Sequence, residues 1–199
     1  DLSRIESGKV SFSLEPVNLP VLIDSVIAIM DGLLLDRNLN FEVHRNRPSI
    51  LYVMTDSTRI REILTNLLNN AVKFTEDGGT ITFEMSTRPG VDERHIVASY
   101  TVKDTGVGMS EEFQKKLFEP FSQEDNGART QYKGTGLGMA ITKQYVELMG
   151  GTLTFQSKKN CGSSFTVEIP MELADEKEIP EQKTVQNISL NGVKVLLVE

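Results

Sequence analysis

Apolar residues follow a helical pattern between Ser57 and Phe74. They recur at i, i+3, i+4 and i+7, which places them on one face of a helix, and Asp56 or Ser57 is a suitable N-cap. At about 100° per residue, the polar side chains gather on the opposite stripe. The apolar face comprises Ile60, Ile63, Leu64, Leu67, Leu68, Ala71 and Val72, and the polar stripe comprises Glu62, Asn66, Asn69, Asn70 and Lys73.

Three other segments are predicted to be helical. The first covers about 18–36, with Asn18 as a candidate N-cap. A short helix is predicted over 110–118. A longer one spans 137–149 and stops at Gly150, a suitable residue after a helix end.

Alternating apolar and polar residues predict short strands, with turn residues between them. The turn-rich stretches 88–90 and 160–162 each join two strands into a hairpin, and 119–135 is predicted to be a long loop. The predicted strands are 10–14, 40–44, 51–54, 80–87, 95–103, 152–156 and 164–169.

The composition limits the classes of protein to consider. With 199 residues, of which 39% are hydrophobic, the chain can bury one full core. It has no apolar run of about 18 residues and no signal-peptide pattern, so no membrane contact is predicted. The net charge of −7 argues against a nucleic-acid surface. One cysteine and two histidines give no support for a disulfide or a zinc site.

The pattern changes at both ends of the chain. Residues 1–9 read as the end of a polar helix, and the main domain is predicted to cover 10–170. Acidic residues, prolines and lysines without hydrophobic pattern predict a linker over 171–190, and an apolar strand follows in 191–199. Because the chain begins without methionine and stops within this strand, we expect it to be a fragment of a longer protein.

The amides of the polar stripe are candidate metal ligands. Asn66 and Asn70 lie one turn apart on the same helix face, close to Lys73. An amide oxygen is a hard, neutral ligand that suits Mg²⁺, and a lysine can meet a phosphate as a point charge. The alternative is a solvated polar stripe, although asparagine is unfavourable within a helix.

A second cluster begins with Asp104, which ends a predicted strand and precedes Gly106 and Gly108. A carboxylate that faces a pocket can accept a charge-assisted hydrogen bond from the exocyclic amine of adenine. The glycines would let the backbone approach the ring. The alternative is a plain turn after a strand.

A third cluster, rich in glycine, opens the last predicted helix. Free N–H groups and the positive end of the helix dipole suit a phosphate chain there. The cluster is neither a P-loop nor a Rossmann fingerprint, because no Gly-Lys-Ser/Thr follows and no strand leads directly into it. The alternative is a flexible hinge. Its members are Gly134, Thr135, Gly136, Leu137 and Gly138, and Arg129 and Lys133 precede them as candidate phosphate contacts.

The order of the three clusters predicts an ATP site, since each cluster supplies a different need of that ligand. Phe118 and Phe121 lie between the second and third clusters and are candidate anchors for a mobile lid, with ordinary core packing as the alternative. The remaining candidates for chemistry are predicted to be structural or inert. They are His44, His95 and Cys161.

Together these residues resemble the catalytic and ATP-binding domain of two-component sensor histidine kinases, part of a wider superfamily of gyrase, chaperone, kinase and mismatch-repair ATPases. The resemblance covers about residues 10–170. It rests on the N box at Asn66–Phe74, the first glycine box at Asp104–Gly108, the F box at Phe118–Phe121 and the second glycine box at Gly134–Gly138.

The resemblance implies a two-layer α/β sandwich, a Bergerat-type fold in which a mixed β-sheet carries helices on one face. It also implies ATP and Mg²⁺ as cofactors, with Asn70 as the metal ligand and Asp104 reading adenine. Asn66 and Lys73 would support the metal and the phosphates and act in catalysis. The other implied nucleotide contacts are Gly106, Gly108, Lys133, Gly134, Thr135, Gly136, Leu137 and Gly138.

The implied activity is transfer of the γ-phosphoryl group to a histidine on a helical domain of the same or a partner subunit. The flanks extend the resemblance: 1–9 resembles the end of that phosphoacceptor domain, and 195–199 resembles the first strand of a receiver domain. The implied parent is a hybrid kinase that acts through its receiver domain or a response regulator. We expect a cytoplasmic domain, in a parent that can be anchored in the inner membrane.

One departure within the superfamily bears on the reaction. Gyrase- and chaperone-like members place a water-activating glutamate four residues before the metal-binding asparagine, where this chain has Asn66. An amide cannot act as a general base, so poor hydrolysis of ATP is expected. The alternatives are an autonomous ATPase of the same superfamily and a non-catalytic nucleotide-sensing module.

Overall fold

One β-sheet organises the part of the chain that the computed structural model describes, residues 11–34, 37–46, 51–124, 135–175, 177 and 179. Its strands are β1 (Glu15–Asn18), β2 (Asn40–Asn46), β3 (Tyr52–Thr55), β4 (Thr80–Pro89), β5 (His95–Asp104), β6 (Thr152–Lys158) and β7 (Gly162–Leu173). The helices are α1 (Leu19–Leu34), α2 (Ser57–Phe74), α3 (Glu111–Gln114) and α4 (Gly138–Leu148).

The sheet is mixed. Its described strands follow the order β1-β3-β7-β5-β4-β2, and β6 also pairs with β7. β2 and β4 run parallel, whereas the other adjacent pairs are antiparallel. The mixed sheet with its helices confirms the predicted α/β class.

The core lies between one face of this sheet and the helices. Along β5, Ala98, Tyr100 and Val102 are buried, and β4 and β7 show the same alternation. The predicted apolar face of α2 packs there, with Val72 half-buried and its other members buried. Because the polar stripe of α2 cannot enter this core, it is left at the edge of the core, beside α4.

Helix α2 has the bounds that the sequence predicts. The Asp56 carboxylate accepts a hydrogen bond from Arg59 N at 3.1 Å and caps the first turn. At the other end, the backbone N and Oγ1 of Thr75 both donate to Ala71 O, at 3.0 and 2.6 Å. Within the described ranges, no helix has both the length and the apolar character needed to cross a membrane.

The strand predicted over 10–14 is wrong in the residues that are described, because 11–14 are not in a strand and β1 starts at Glu15. Strand formation needs a partner, and β3 pairs with the later segment, in the register Glu15↔Thr55. Ser13 N instead donates to the Asp56 carboxylate at 3.0 Å, and the Leu14 side chain is 62% exposed.

The short helix predicted over 110–118 is also wrong in length. Ser110 caps it as expected, but α3 ends at Gln114 and turns follow. The side chain of Gln114 donates to Met109 O and Ser157 O, both at 3.1 Å, which ties this helix to the end of β6.

Pairing extends several strands beyond the bounds that the sequence predicts, β4 and β7 among them. β4 continues through Pro89, which is opposite Ile96, and β7 continues through Leu173, which is opposite Val53. The strand β7 therefore continues past residue 170, where the change of composition begins. The segments 1–9 and 191–199, with their predicted helix end and strand, lie outside the described residues.

Candidate functional site

The polar stripe of α2 faces the first turns of α4. The side-chain Nδ2 of Asn66 donates to Thr142 Oγ1 at 2.7 Å, and Nδ2 of Asn70 donates to Met139 Sδ at 3.3 Å. The two amide oxygens accept no hydrogen bond from any described residue. The fold thus brings the first and third sequence clusters together and leaves two neutral oxygens available for a ligand.

Gly138 provides the room for this contact. A Cβ atom at this position would stand closer than 3.0 Å to the Asn66 side-chain oxygen. Gly138 is also the first residue of α4, where backbone N–H groups lack helical partners. The glycine therefore allows both the amide and an approaching ligand to come close to the helix backbone.

Lys73 is the described cation of the site. Its side chain is half-buried, and burial lowers the pKa of its ammonium group. Its Nζ lies 4.9 Å from the ring centroid of Phe74. No described carboxylate forms an ion pair with it. A partly desolvated cation without an acidic partner is well suited to a phosphate.

Asp104 is held by one of its two carboxylate oxygens. Its Oδ1 accepts from Gly106 N at 2.9 Å and from Ser163 N at 3.2 Å. Burial raises the pKa of this carboxyl group, and the two hydrogen bonds oppose that shift. Neither bond uses Oδ2, so a fixed carboxylate keeps one oxygen for a ligand.

The turn after Asp104 is joined to the end of α2. Val107 N donates to Phe74 O at 3.1 Å, and a Cβ at Gly106 would collide with the Phe74 backbone. Gly108 has φ +60, and a Cβ there would collide with the Lys158 carbonyl. Gly106 thus permits close packing of the second cluster on the end of α2, and Gly108 permits close packing on the end of β6.

The F box contacts the second glycine box. Phe121 N donates to Gly136 O at 3.0 Å, and a Cβ at Gly136, which has φ +70, would collide with the Phe121 backbone. Phe118 packs edge-on against Phe155, with ring centroids 5.6 Å apart, whereas the Phe121 side chain is 70% exposed. Core packing therefore accounts for the ring of Phe118 and not for the ring of Phe121.

Part of the predicted site lies outside the described residues, namely Arg129, Lys133 and Gly134. Thr135, Gly136 and Leu137 are described, and Leu137 N donates to Thr135 Oγ1 at 3.4 Å. A cleft of about 160 Å³ separates α2 from α4. It is lined by Glu62, Asn66, Gly138, Ile141, Thr142 and Tyr145.

A larger cleft, of about 260 Å³, lies on the opposite face of the sheet. Its lining includes Glu84, Thr101 and Lys103, which alternate along their strands with buried core residues, and it contains none of the predicted ligand residues. We therefore place the candidate site at the α2–α4 edge, where the chemistry of the side chains converges.

Three contacts of the site were not predicted from the sequence. Thr142 accepts a hydrogen bond from Asn66, and Met139 accepts one from Asn70. The backbone N of Ser163 donates to Asp104. Thr142 lies four residues after Gly138, so helical periodicity could have placed the two on one face. The Ser163 contact is made by its backbone N–H group. Any residue other than proline would supply that group, so the residue type could not predict the contact.

The remaining candidates for chemistry, His95, His44 and Cys161, lie outside the candidate site. His95 lies in β5 with its Nδ1 2.6 Å from the Asp92 carboxylate, and His44 in β2 is 3.6 Å from Glu42. Cys161 is exposed in the β6–β7 turn. Among the described residues, no group of three or more His, Cys, Asp or Glu side chains could hold a metal ion.

Comparison with known proteins gives a consistent result. The model of the family described as "Histidine kinase-, DNA gyrase B-, and HSP90-like ATPase" matches residues 55–173. The chain is 33% identical to the autoinducer 2 sensor kinase/phosphatase LuxQ of Vibrio vulnificus, over 100% of this chain and 23% of that protein. It is 39% identical to the circadian input-output histidine kinase CikA of Synechococcus elongatus, over 98% of this chain and 25% of that protein.

A solved structure shows the same fold. Full-length ShkA in complex with AMPPNP superposes with a TM-score of 0.71 at 28% identity, over 86% of this chain and 34% of that one. The chain thus spans about a quarter of the length of the two curated relatives and a third of the solved one.

Proposed function

The chain belongs to the family of histidine kinase-, DNA gyrase B- and HSP90-like ATPases, and we propose that it positions Mg²⁺-ATP for transfer of the γ-phosphoryl group to a histidine on a separate helical domain. One observation carries the proposal. The amide oxygens of Asn66 and Asn70 stay available at the edge of α2, beside the glycine that begins α4.

The described residues fit a magnesium ion. Mg²⁺ prefers a few protein oxygens and completes its shell with phosphates and water, which suits Asn70 as a ligand with Asn66 close by. When bound, the ion would supply positive charge to the phosphates. Lys73 would bind a phosphate directly, and Lys133 and the glycines from Gly134 to Gly138 would hold the remaining oxygens.

Adenine would lie at Asp104, where the free Oδ2 accepts a hydrogen bond from the exocyclic amine. Gly106 and Gly108 would form the wall beside the ring. Phosphoryl transfer depends on positioning and on neutralisation of charge more than on covalent help from the protein. These are the tasks for which the described side chains are suited.

Hydrolysis by the chain alone is the weaker candidate. Asn66 has no basic group, and the carboxylate of Glu62, one turn earlier, is bound by Arg59 at 2.6 Å. Neither described histidine lies on a helix, since His44 is in β2 and His95 in β5. The phosphate acceptor is therefore proposed to lie on a helical domain of the same or a partner subunit.

The flanking segments complete the proposal. Residues 1–9 would be the end of the phosphoacceptor helices, the linker would run to 190, and 191–199 would begin a receiver domain. The parent would be a hybrid sensor kinase, cytoplasmic in this part, that signals through its receiver or a response regulator. The curated relatives are themselves named as sensor or histidine kinases.

Calorimetry with AMPPNP tests the proposal. The wild-type chain should bind the nucleotide, and Mg²⁺ should tighten the binding. Asn70→Ala should remove most of the gain from Mg²⁺. Asn69→Ala is the matched control, because Asn69 is the adjacent amide of the same helix and is exposed. The absence of any binding by the wild type, or equal losses in both variants, would refute the assignment.

A separately prepared phosphoacceptor domain distinguishes transfer from sensing. With labelled ATP, the chain should transfer label to a histidine of the added domain and should release little free phosphate without it. Binding without transfer would support the nucleotide-sensing module. Steady release of phosphate by the chain alone would support the autonomous ATPase.

A further inference from the structure

One acidic side chain lines the cleft between α2 and α4. Among the described residues that line it, Glu62 is the only one that carries a charge. Glu62 lies four residues before Asn66, so the two side chains are one turn apart on the same face of α2. A free carboxylate at this position would repel the phosphates that the cleft is proposed to receive.

Arg59 pairs with this carboxylate. Its Nη1 donates to Glu62 Oε2 at 2.6 Å, and the two residues are three positions apart on α2. The Arg59 side chain is 23% exposed and the Glu62 side chain is 43% exposed. The ion pair therefore lies at the edge of the cleft, where water still reaches the carboxylate.

Tyr145 of α4 supports the guanidinium of Arg59 from the opposite helix. Arg59 Nη1 also donates to the Tyr145 hydroxyl oxygen at 3.0 Å, and the guanidinium carbon lies 4.7 Å from the centroid of the Tyr145 ring. A guanidinium only donates, so the direction of both Arg59 hydrogen bonds is fixed. Tyr145 is 2% exposed, and the surrounding core holds its ring. Contacts with both helices thus place Arg59 beside Glu62.

We propose that Arg59 is a positioning residue that holds and neutralises the Glu62 carboxylate, so that the cleft between α2 and α4 admits the phosphates of the nucleotide. The proposal rests on the proposed function, since it concerns the charge within that same site. Arg59 acts through Glu62 and not by a contact with the nucleotide. Loss of the guanidinium alone would leave one negative charge one turn from Asn66, whereas loss of both partners would leave none.

The test is a cycle of Arg59→Met, Glu62→Gln and the double variant. Calorimetry measures the affinity for AMPPNP in Mg²⁺, and thermal unfolding is followed for each variant. We expect Arg59→Met to lower the affinity by about three- to tenfold, as expected for one uncompensated charge near a partly exposed site. The double variant should return to the wild-type affinity. Glu62→Gln alone should raise the affinity, because the positive charge of Arg59 is then uncompensated.

Further measurements distinguish charge from packing. Adenosine has no phosphates, so its affinity should not change in Arg59→Met. The loss of AMPPNP affinity should shrink as the salt concentration rises, because Glu62 is exposed enough to be screened. Arg59→Lys keeps the charge and should keep most of the affinity. Arg88→Met is the matched control, since it removes the same charge from an exposed pair with Glu168 outside the cleft, and it should leave AMPPNP affinity unchanged.

The outcomes distinguish the inference from the proposed function. The inference is wrong if Arg59→Met binds AMPPNP as tightly as the wild type, or if the double variant keeps the loss. It is also wrong if adenosine loses as much affinity as AMPPNP, or if Arg88→Met shows the same loss. Glu62→Gln keeps the test valid if Arg59→Met does not fold, since unchanged or weaker binding in that variant contradicts the inference. If the wild type binds no nucleotide, the proposed function itself fails.

Discussion

The side-chain oxygen of Asn66 occupies the space that a Cβ atom on Gly138 would need, at less than the 3.0 Å that real Cβ contacts keep. The φ angle of Gly138 lies outside the left-handed region, so backbone conformation does not require glycine here. The requirement comes from the amide of a different helix. The second glycine box therefore needs a glycine at position 138 because the Asn66 side chain of the N box lies against it.

Gly138→Ala should therefore weaken nucleotide binding without destabilising the fold. The methyl group displaces Asn66, so we expect AMPPNP affinity in Mg²⁺ to fall by about tenfold. Alanine favours a helix over glycine by up to about 1 kcal/mol, and loss of the Asn66–Thr142 hydrogen bond costs about as much, so the melting temperature should change little. Calorimetry and thermal unfolding measure the two effects.

Gly32→Ala is the matched control for this change. Gly32 also lies in a helix, α1, and a Cβ there would meet no atom within 4 Å. It should raise stability and leave binding unchanged. Normal affinity in Gly138→Ala, or a loss that also appears in Gly32→Ala, would contradict the steric account.

Asp104→Asn should weaken binding of the adenine group. The variant can keep the Oδ1 acceptor for Gly106 and Ser163, but an NH₂ group replaces the second carboxylate oxygen, which is proposed to bind adenine. A hydrogen bond to a charged group contributes about 1.5–3 kcal/mol, so the affinity for AMPPNP should fall by about one to two orders of magnitude. Inorganic triphosphate, which has no adenine, should bind wild type and variant equally; an equal loss for both ligands would refute the role of Asp104.

The difference in stability between this variant and the wild type should depend on pH. Burial raises the pKa of the Asp104 carboxyl in the folded state, so the folded protein holds this proton more tightly than the unfolded chain does. The contribution of Asp104 to stability is therefore full below the unfolded pKa of about 3.9 and is lost as pH rises through the folded pKa. Asparagine does not titrate.

The melting temperature of Asp104→Asn minus that of wild type should accordingly become more positive as the pH rises from about 4 to neutral. Unfolding scans across this interval measure it. A difference that is constant with pH would show that the two backbone hydrogen bonds balance burial, and one that becomes more negative would show that they outweigh it. A carboxylate that costs stability is what a ligand-binding role explains.

The sequence could predict those features of the site that depend on residues within one helix or strand. The cap at Asp56, the periodicity and the polar stripe of α2 all lie within one helix, and its bounds were predicted correctly. The strand expected over 10–14 was wrong because its pairing depends on β3, about 40 residues away in the register Glu15↔Thr55. Long-range pairing of this kind leaves no local signal.

The same distinction applies to the proposed ligand residues. Asn70 and Asp104 carry their chemistry in their own side chains, so residue type and spacing could mark them as candidates. Thr142 acts on a residue 76 positions away, and only the packing of α4 against α2 shows the contact. Asp104 in turn depends on a backbone N–H of Ser163, which any residue other than proline would provide.

Lys73→Met should reduce binding through the phosphates alone. Methionine keeps much of the apolar stem and removes the charge, so affinity for AMPPNP should fall by about tenfold or more, whereas affinity for adenosine should not change. Calorimetry with both ligands measures the difference. Lys103→Met is the control, because Lys103 pairs with Glu84 at 2.7 Å on the other face of the sheet. If adenosine binding falls as much as AMPPNP binding, Lys73 acts on the fold and not on the phosphates.

Arg37 fixes the end of α2 that carries Lys73. Its guanidinium donates to Val72 O at 3.4 Å and to Thr75 O at 2.8 Å, and its Nε pairs with the Asp77 carboxylate at 3.0 Å. The last carbonyls of a helix have no partners within the helix, so this side chain satisfies groups that would otherwise need water. Its side chain is only 23% exposed.

Arg37→Met should therefore lower the free energy of unfolding by about 1–3 kcal/mol, the range expected when charged hydrogen bonds to partly buried carbonyls are lost. Arg88→Met is the control. The Arg88 side chain is 58% exposed and pairs with Glu168 at 3.4 Å. Exposed ion pairs of this kind contribute about 0–1 kcal/mol to stability. Denaturant unfolding measures both variants. Because α2 carries the proposed ligand residues Asn66, Asn70 and Lys73, AMPPNP affinity should also fall in Arg37→Met and not in the control. Equal and small losses of stability in the two variants would show that water replaces the guanidinium and that the end of α2 holds its position without it.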